Sequence, residues 1–483
     1  MAKCKHLDIC GLNADFHDGL CILHSALDKN KNEFAKRFEE HRKNKGDNFR
    51  YFVFPERIDF GGTTFTTKAS FVGATFTEEA YFTGATFSEK ADFLGATFAK
   101  KASFPGARFA KEASFAGATF TKEAQFSDTR FAKGAEFVEA TFTEWTWFTK
   151  ATVAENANFV GATFTKEAYF LEATFAKWTS FAGATFAKEA YFTRVTFSEE
   201  AYFTGATFVR GASFEGAIFE KGDVSFDDSH LLGRTLFLGG KTARFIFSNV
   251  NVSFKNMDIN PPNAVIFRDA DLGRCSFLGT RINQVEFTNV KWAMIPGKFG
   301  YSRTGIYDEK ILLDSIKSTK KSKKKDKKNL DWEHIERICR DLKINHTASG
   351  DHERAGDFHY GEKGMRRRNP STPLMHRFFL NLYRILSGYG ERYLRPLFWA
   401  LFIMIGCTIG YLAFGIQNEY FISLGFDDWS TVLLYSLQIM TLLKPTELQP
   451  IGVASTAIKV FQSISGPIIL GLFALAIRQR LKR

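Results

Sequence analysis

The stretch FTTKASFVGATFTEEAYFTGATF, residues 65–87, decides the fold of the first half of the chain. Phenylalanine recurs in it at 65, 71, 76, 82 and 87, in alternating steps of six and five, and the alternation continues through 93, 98, 104 and onward to 148. After Val153 it resumes at Phe159 and runs to Phe219. An alanine or threonine usually stands two places before each phenylalanine. Neither a helix nor a flat strand has this period, whereas self-similarity at a fixed spacing marks a stacked repeat. Further on the step becomes five, through Leu232, Phe237, Phe247, Val252, Met257, Phe267, Leu272, Phe277, Ile282, Phe287 and Trp292, with Thr242 and Pro262 as polar or rigid interruptions.

A small residue, two positions, then Phe or Leu is the pattern of the pentapeptide-repeat proteins, which this half of the chain resembles. The resemblance implies a right-handed quadrilateral parallel β-helix in which each repeat forms one side and the large and small residues both point inward. The eleven-residue unit then reads as a five-residue side plus a six-residue side, which predicts wider coils in the first part than in the second. Coils stack at the interstrand spacing of ~4.8 Å, so the expected shape is a rod whose ends need caps. Some members of the family present an acidic rod that mimics DNA. Here Lys111-Glu112, Lys122-Glu123, Lys166-Glu167 and Lys188-Glu189 mix the charges, so no nucleic-acid role is expected. Trp145 and Trp178 are read as standing in the small-residue position, with Trp147 nearby; either the coil bulges there or an aromatic lies outside, as a contact for a cytosolic protein partner or as a tolerated irregularity.

Upstream of the repeat, Cys4, Cys10, Cys21 and His24 are the clustered soft ligands, spaced C-x5-C-x10-C-x2-H. Three thiolates and an imidazole are a donor set that tetrahedral zinc accepts, so the segment reads as a zinc knuckle or as ordinary reduced cysteines. The remaining cysteines, Cys275, Cys339 and Cys407, are scattered and suggest no disulfide framework. The first residues lack the apolar core of a secretory signal, which leaves this end on the cytosolic side.

Downstream, residues 317–328, KSTKKSKKKDKK, carry much of the net charge of +12. Such a run is expected to be solvated or to lie along anionic cytoplasmic lipid. Trp332, Ile335, Ile338, Cys339 and Leu342 share one helical face, and Ala355, Phe358, His359, Glu362 and Met365 mark a second helix after the break at Gly350-Asp351. The pair resembles the helical hairpins found beside the membrane segments of related pentapeptide-repeat membrane proteins, and is expected to couple rod to membrane. Arg377 to Arg395 reads as an interfacial helix with Tyr383, Tyr389 and Tyr393 at headgroup depth.

Pro396–Asn418 and Val460–Ile477 carry no charge and are long enough to span a bilayer. Between them Ser430–Leu443 is apolar but too short to cross. A short apolar helix followed by irregular chain survives at membrane depth only where it faces protein or water. Arginines precede the first span and follow the second, while the loop between them is acidic, so both ends are expected in the cytosol at the cell membrane.

This order of elements resembles the pore module of the two-transmembrane pore-loop channels, the potassium-channel superfamily. Ser436, Leu437, Thr441 and the closing Pro450 match the loop pattern without a gap. The resemblance implies a pore helix ending near Thr441, filter positions at Thr441, Leu442, Leu443, Lys444, Pro445, Thr446 and Glu447, and a homotetramer. Lys444 and Thr446 stand where the two filter glycines would be, so potassium selectivity is not carried over. Gly466-Pro467 interrupts the second span and reads as a gating hinge or as a close helix contact.

The expected organisation is an N-terminal cap (1–60), a β-helix (61–295), a basic linker with a helical hairpin (296–376) and an α-helical two-span pore domain (377–483). The expected function is an ion channel regulated by a cytosolic rod, with the lipid bilayer and the permeating ions as partners; the alternative is a non-conducting, membrane-anchored oligomeric scaffold. No nucleophile–base pair, phosphate-binding loop or acidic metal cluster suggests an enzyme.

Overall fold

The computed structural model of the chain describes residues 3–27, 30–241, 244–297, 302–321, 331–417, 425–443 and 448–481. They form two compact units, Met1–Met294 with Ile306–Ser318, and Ile295–Gly305 with Thr319–Arg483.

In the first unit, two-residue strands stack into four parallel sheets of 10, 11, 8 and 10 strands, and the chain visits the four in turn. Phe54 pairs with Phe76 and Phe76 with Phe98, so one coil takes 22 residues, two of the eleven-residue units. Phenylalanine and alanine alternate inside, nearly all with no exposed surface. Each ring lies flat on its equivalent one coil away, as Phe71 on Phe93 at 4.7 Å, and edge-on to its neighbours, as Phe82 to Phe93 at 5.6 Å. Both are favourable arrangements of the ring quadrupoles. The small residue follows from this packing, because a larger side chain would occupy the room of the next ring.

The five-residue step is a corner. From Phe93 to Ala96 the Ala96 amide donates to the Phe93 carbonyl at 3.0 Å, and Gly95 at the third place has φ +63°. A positive φ there is what a type II turn requires, hence the recurrent glycine. Asp128, Glu139, Lys150, Glu172 and Arg194 take the same backbone conformation with a side chain attached.

Three expectations about the rod are corrected, namely the narrowing of the second part, the inward place of Leu232 and the place of two tryptophans. The coils begin at strand Val53–Phe54, ahead of residue 61, because Phe49, Phe54, Phe60 and Phe65 already keep the five-and-six step and are all buried. The second part is irregular rather than narrower: register offsets run to 23, 28 and 30 residues (Phe208–Leu231, Val224–Val252, Thr235–Val265) before Val265–Val285 returns to 20. The inserted residues shift the phase, so Leu231 rather than Leu232 points inward. Trp145 and Trp178 do not occupy the small-residue position; Thr146 and Thr179 do, in register with Ala168 and Ala157, and Trp145 is 43 % exposed outside the coil. The charged rows of the mixed outer face pair between coils, as Lys90–Glu112 at 3.3 Å and Lys101–Glu123 at 3.6 Å, each 22 residues apart. Exposed pairs of this kind contribute little to stability.

At the N-terminal end, helix α1 (Leu7–Cys10) lies in the cysteine segment, and α2 (Lys31–Lys45), capped by Asn30, sets Phe34 and Phe38 against Phe49, Phe54 and Phe60. At the other end, Asp308 of α3 (Tyr307–Lys321) accepts from the Ser276 hydroxyl at 2.6 Å and the Phe277 amide at 2.9 Å. Most of α3 therefore belongs with the solenoid. The first residues of the lysine run continue this helix; 322–330 lie outside the described residues.

The second unit is helical. α4 (Trp332–Ala348) and α5 (His352–Arg368) form a hairpin that buries Ile335, Ile338, Cys339 and Leu342 with Ala355, Phe358 and Met365. The interfacial segment is not one helix up to Arg395. α6 (Leu374–Ser387) stops because Gly388, Tyr389 and Gly390 all take positive φ, and α7 (Leu394–Phe414) starts afresh. Tyr389 is consequently fully buried against protein, with its hydroxyl bonded by Arg367 at 3.2 Å. α8 (Trp429–Thr441) follows, and α9 (Gly452–Leu481) begins eight residues ahead of Val460, taking in Lys459.

Candidate functional site

The cysteine segment brings its four predicted ligands together. Cys4, Cys10, Cys21 and His24 are all buried, and their ligand atoms lie within 4.8 Å of one another. Cys21 Sγ is 3.2 Å from His24 Nδ1 and 3.6 Å from Cys10 Sγ, and Cys4 Sγ is 3.7 Å from His24 Nδ1. A tetrahedral ion with metal–sulfur bonds of about 2.3 Å and metal–nitrogen bonds of about 2.0 Å would have ligand–ligand edges of about 3.5–3.8 Å. Three observed edges are therefore close to the size of such a polyhedron.

The surroundings suit thiolates. The amides of Cys21 and Leu12 donate to Cys4 Sγ and Cys10 Sγ at 3.3 and 3.4 Å. The hydrogen bond from the Cys21 thiol holds Cys10 well below the usual thiol range, and donating that bond, together with burial, pushes Cys21 up. His24 Nε2 lies 3.3 Å from the Arg50 carbonyl, which can only accept, so the proton sits on Nε2 and the Nδ1 lone pair faces the sulfurs. His6 and His17 are not part of the cluster. The wide first spacing in the sequence is explained by α1, which carries the chain from Cys4 round to Cys10.

In the membrane-like module, Leu394–Phe414 and Gly452–Arg478 are long and apolar enough to cross a bilayer, and only 28 % and 22 % of their apolar windows are buried, unlike the core helices of soluble proteins. α8 packs against both. Gly410 of α7 faces Ile458 of α9, and Gly466 of α9 faces α8, where an added Cβ would come within 2.7 Å of the Met440 carbonyl oxygen and 2.9 Å of its Cα. Gly466 thus sits at a close helix contact, and α9 runs through Pro467 without ending.

Of the residues assigned to the filter by resemblance, Thr441 ends α8, and Leu442 and Leu443 are exposed beyond it; Lys444, Pro445, Thr446 and Glu447 lie outside the described residues. The chain after them returns as Gln449–Pro450, antiparallel to Ile416–Gln417 at the end of α7.

The sequence reading missed the polar centre of this module. Gln462 is fully buried; its amide donates to the Ser436 carbonyl at 2.9 Å and contacts the Ser436 hydroxyl at 2.6 Å, while its oxygen accepts from the Tyr411 hydroxyl at 3.0 Å. One side chain thereby ties all three helices. A lone glutamine in an apolar span was the available signal. Also missed was the charge cluster around Glu362, which the sequence marks only as a residue of the second helix; nearly buried, it meets Lys363, Lys343, Arg340 and His359 at 3.2–3.5 Å.

No curated protein and no solved structure matches the chain. The family model described as Pentapeptide repeats (9 copies) matches it at residues 49–97, 60–108, 104–152, 137–185, 148–196 and 181–230. The match begins at Phe49, just ahead of the first strand, and stops where the register offsets become irregular, so this stretch of the chain is a run of pentapeptide repeats folded as a parallel β-solenoid.

Proposed function

We propose that the chain is a subunit of a membrane channel, with a two-span pore-loop module at its C-terminal end and a right-handed, four-sided pentapeptide-repeat rod in the cytosol. The observation that carries this reading is α8, a helix too short to cross a bilayer, held between two helices that are long enough and ending in exposed chain at Thr441. The Gln462–Ser436–Tyr411 network supports it, because buried polar groups in an apolar bundle persist when they fix a required arrangement. Four copies would place Lys444 and Glu447 as charged rings at the mouth, with Gly466-Pro467 in the helix that lines the path. Both termini would be cytosolic at the cell membrane, the rod would receive a protein partner, and no enzymic step is assigned.

The departures from the filter pattern at Lys444 and Thr446 favour the second reading, a non-conducting oligomeric scaffold anchored by the same helices. Single-channel recording of the purified chain in planar bilayers under a salt gradient separates the two. Discrete currents whose reversal potential moves in Lys444→Ala and Glu447→Ala support the pore. Silence at both polarities and under membrane tension refutes it and leaves the scaffold.

For the cysteine cluster we propose structural zinc(II): four protein ligands leave no open position for chemistry. Metal analysis of the purified chain is expected to find about one equivalent, lost in Cys21→Ser.

A further inference from the structure

We infer that the metal bound by Cys4, Cys10, Cys21 and His24 acts as a latch that closes the N-terminal edge of the solenoid. The inference rests on the zinc reading above and concerns what the ion does for the rod.

A parallel stack leaves unpaired backbone groups at its first coil, and such an edge is a template for pairing with another chain. On the face that starts at Val53–Phe54 the amides point back toward the N-terminus: Thr75 donates to the Phe52 carbonyl and Thr77 to Phe54, and one coil later Thr97 donates to Ala74 and Ala99 to Phe76. In the first coil the two equivalent positions are Val53 and residue 55. Residue 55 is proline, which has no amide hydrogen to leave unpaired. The Val53 amide donates to the carbonyl of Leu23 at 2.9 Å.

Leu23 is fully buried and lies between two of the ligands, Cys21 and His24. The same short stretch touches the first coil twice more, through His24 Nε2 on the Arg50 carbonyl and the His24 ring edge-on to Phe52 at 4.9 Å. Regular structure in the described residues before Asn30 is limited to the four-residue helix α1 and an isolated bridge between Lys3 and Asn13. Local hydrogen bonds shape this stretch, the Ile22 amide on the Asp15 carboxylate at 3.2 Å and the His24 and Ser25 amides on the Cys21 carbonyl at 3.0 Å; the ion would add the tie to Cys4 and Cys10 that holds the Leu23 carbonyl in place, and Leu23 with Pro55 closes this face of the edge. α2 covers the aromatic interior separately, so loss of the ion is expected to open the edge without unfolding the rod.

The test is amide hydrogen exchange on the full chain in detergent, before and after removal of metal from the wild-type protein by a chelator under reducing conditions, with metal content measured in parallel. The expected result is at least tenfold faster exchange at Val53, with no change at Phe115 and Phe137, whose amides are bonded in central coils to Glu136 and Asn158. Bound metal whose removal leaves Val53 unchanged, or accelerates all the coils alike, overturns the latch and leaves the zinc reading standing. Absence of metal from protein purified without chelator overturns the zinc reading and the latch with it. Because chelation needs no substitution, the result does not depend on whether a cysteine variant folds.

Discussion

Replacing Gly95 with alanine isolates the contribution of one corner of the rod. A Cβ built at Gly95 meets nothing within 4 Å, so the substitution makes no clash and loses no contact. What remains is the backbone: φ is +63°, in the left-handed region that costs an L-residue roughly 1–2 kcal/mol. The control is Gly134→Ala, where φ is not positive and the nearest atom, the Asn156 carbonyl oxygen, stands at an ordinary 3.5 Å. There the loss of freedom in the unfolded chain predicts a gain of about 0.4–1 kcal/mol. In a stacked repeat the effect of a substitution stays near its own coil, so site-resolved hydrogen exchange is the suitable assay. Gly95→Ala is expected to speed exchange of the amides of Phe93, Ala96 and Thr97 by about 5- to 30-fold, which is 1–2 kcal/mol at 1.4 kcal/mol per tenfold. Gly134→Ala is expected to slow exchange at Ala113, whose amide is bonded to the Gly134 carbonyl. Equal behaviour of the two variants would refute the assignment of the corner glycine to backbone conformation.

Packing and charge lead to two further expected outcomes. Burial opposes ionisation of Glu362, but the neighbouring His359 ring at 3.5 Å and the Lys343 and Lys363 ammoniums outweigh it and hold the carboxyl far below the usual range. A depressed pKa contributes stability that is complete above the ordinary glutamate value of about 4.3 and lost as pH falls through the folded-state value. Glu362→Gln is expected to destabilise the hairpin by about 1.5–3 kcal/mol at neutral pH and to flatten its acid sensitivity, read by exchange at α4 and α5 between neutral and acid pH; an unchanged acid profile counts against the network. In the membrane-like module, Gly466→Ala must displace the Met440 backbone, and a cost of about 1–3 kcal/mol is expected in thermal unfolding of the detergent-solubilised chain. Gly471→Ala, with open space around it, is expected to be neutral or to gain up to about 1 kcal/mol; similar losses in both would remove the close contact from the explanation.

The rod was legible because one side-chain size must recur wherever the coil returns to the same face, and Phe65 to Phe219 keeps that rule almost without exception. Where residues are inserted, as between Val224 and Val252, a strict five-residue count slips by one and Leu232 is taken for Leu231. The tryptophans show the same sensitivity: counting two places back from Phe148 gives Thr146, and only that count puts the bulky residue outside. The metal ligands were legible as residue types but not as a closed set, since the four-residue helix Leu7–Cys10 that leads the chain to Cys10 is too short to show a period. The burial of Tyr389 was not legible, because an aromatic near a span reads as interfacial, whereas three successive positive-φ residues turn this one into the protein. α9 starts ahead of the uncharged run that begins at Val460, because a single lysine, Lys459, can extend its ammonium away along its own stem.

The coil of 22 residues contains two copies of the eleven-residue unit, and this gives the chain a rule for changing length. Adding or deleting a pair of units inserts or removes one whole coil, moving the downstream coils by ~4.8 Å along the axis and leaving their rotation untouched. Adding or deleting a single unit, equally invisible to the inward Phe-Ala pattern, turns everything downstream by half a revolution. The rod is in that sense a two-position indexing screw. Length variants that keep even numbers of units preserve which face carries Trp147 and Tyr169, and odd ones exchange it for the opposite face.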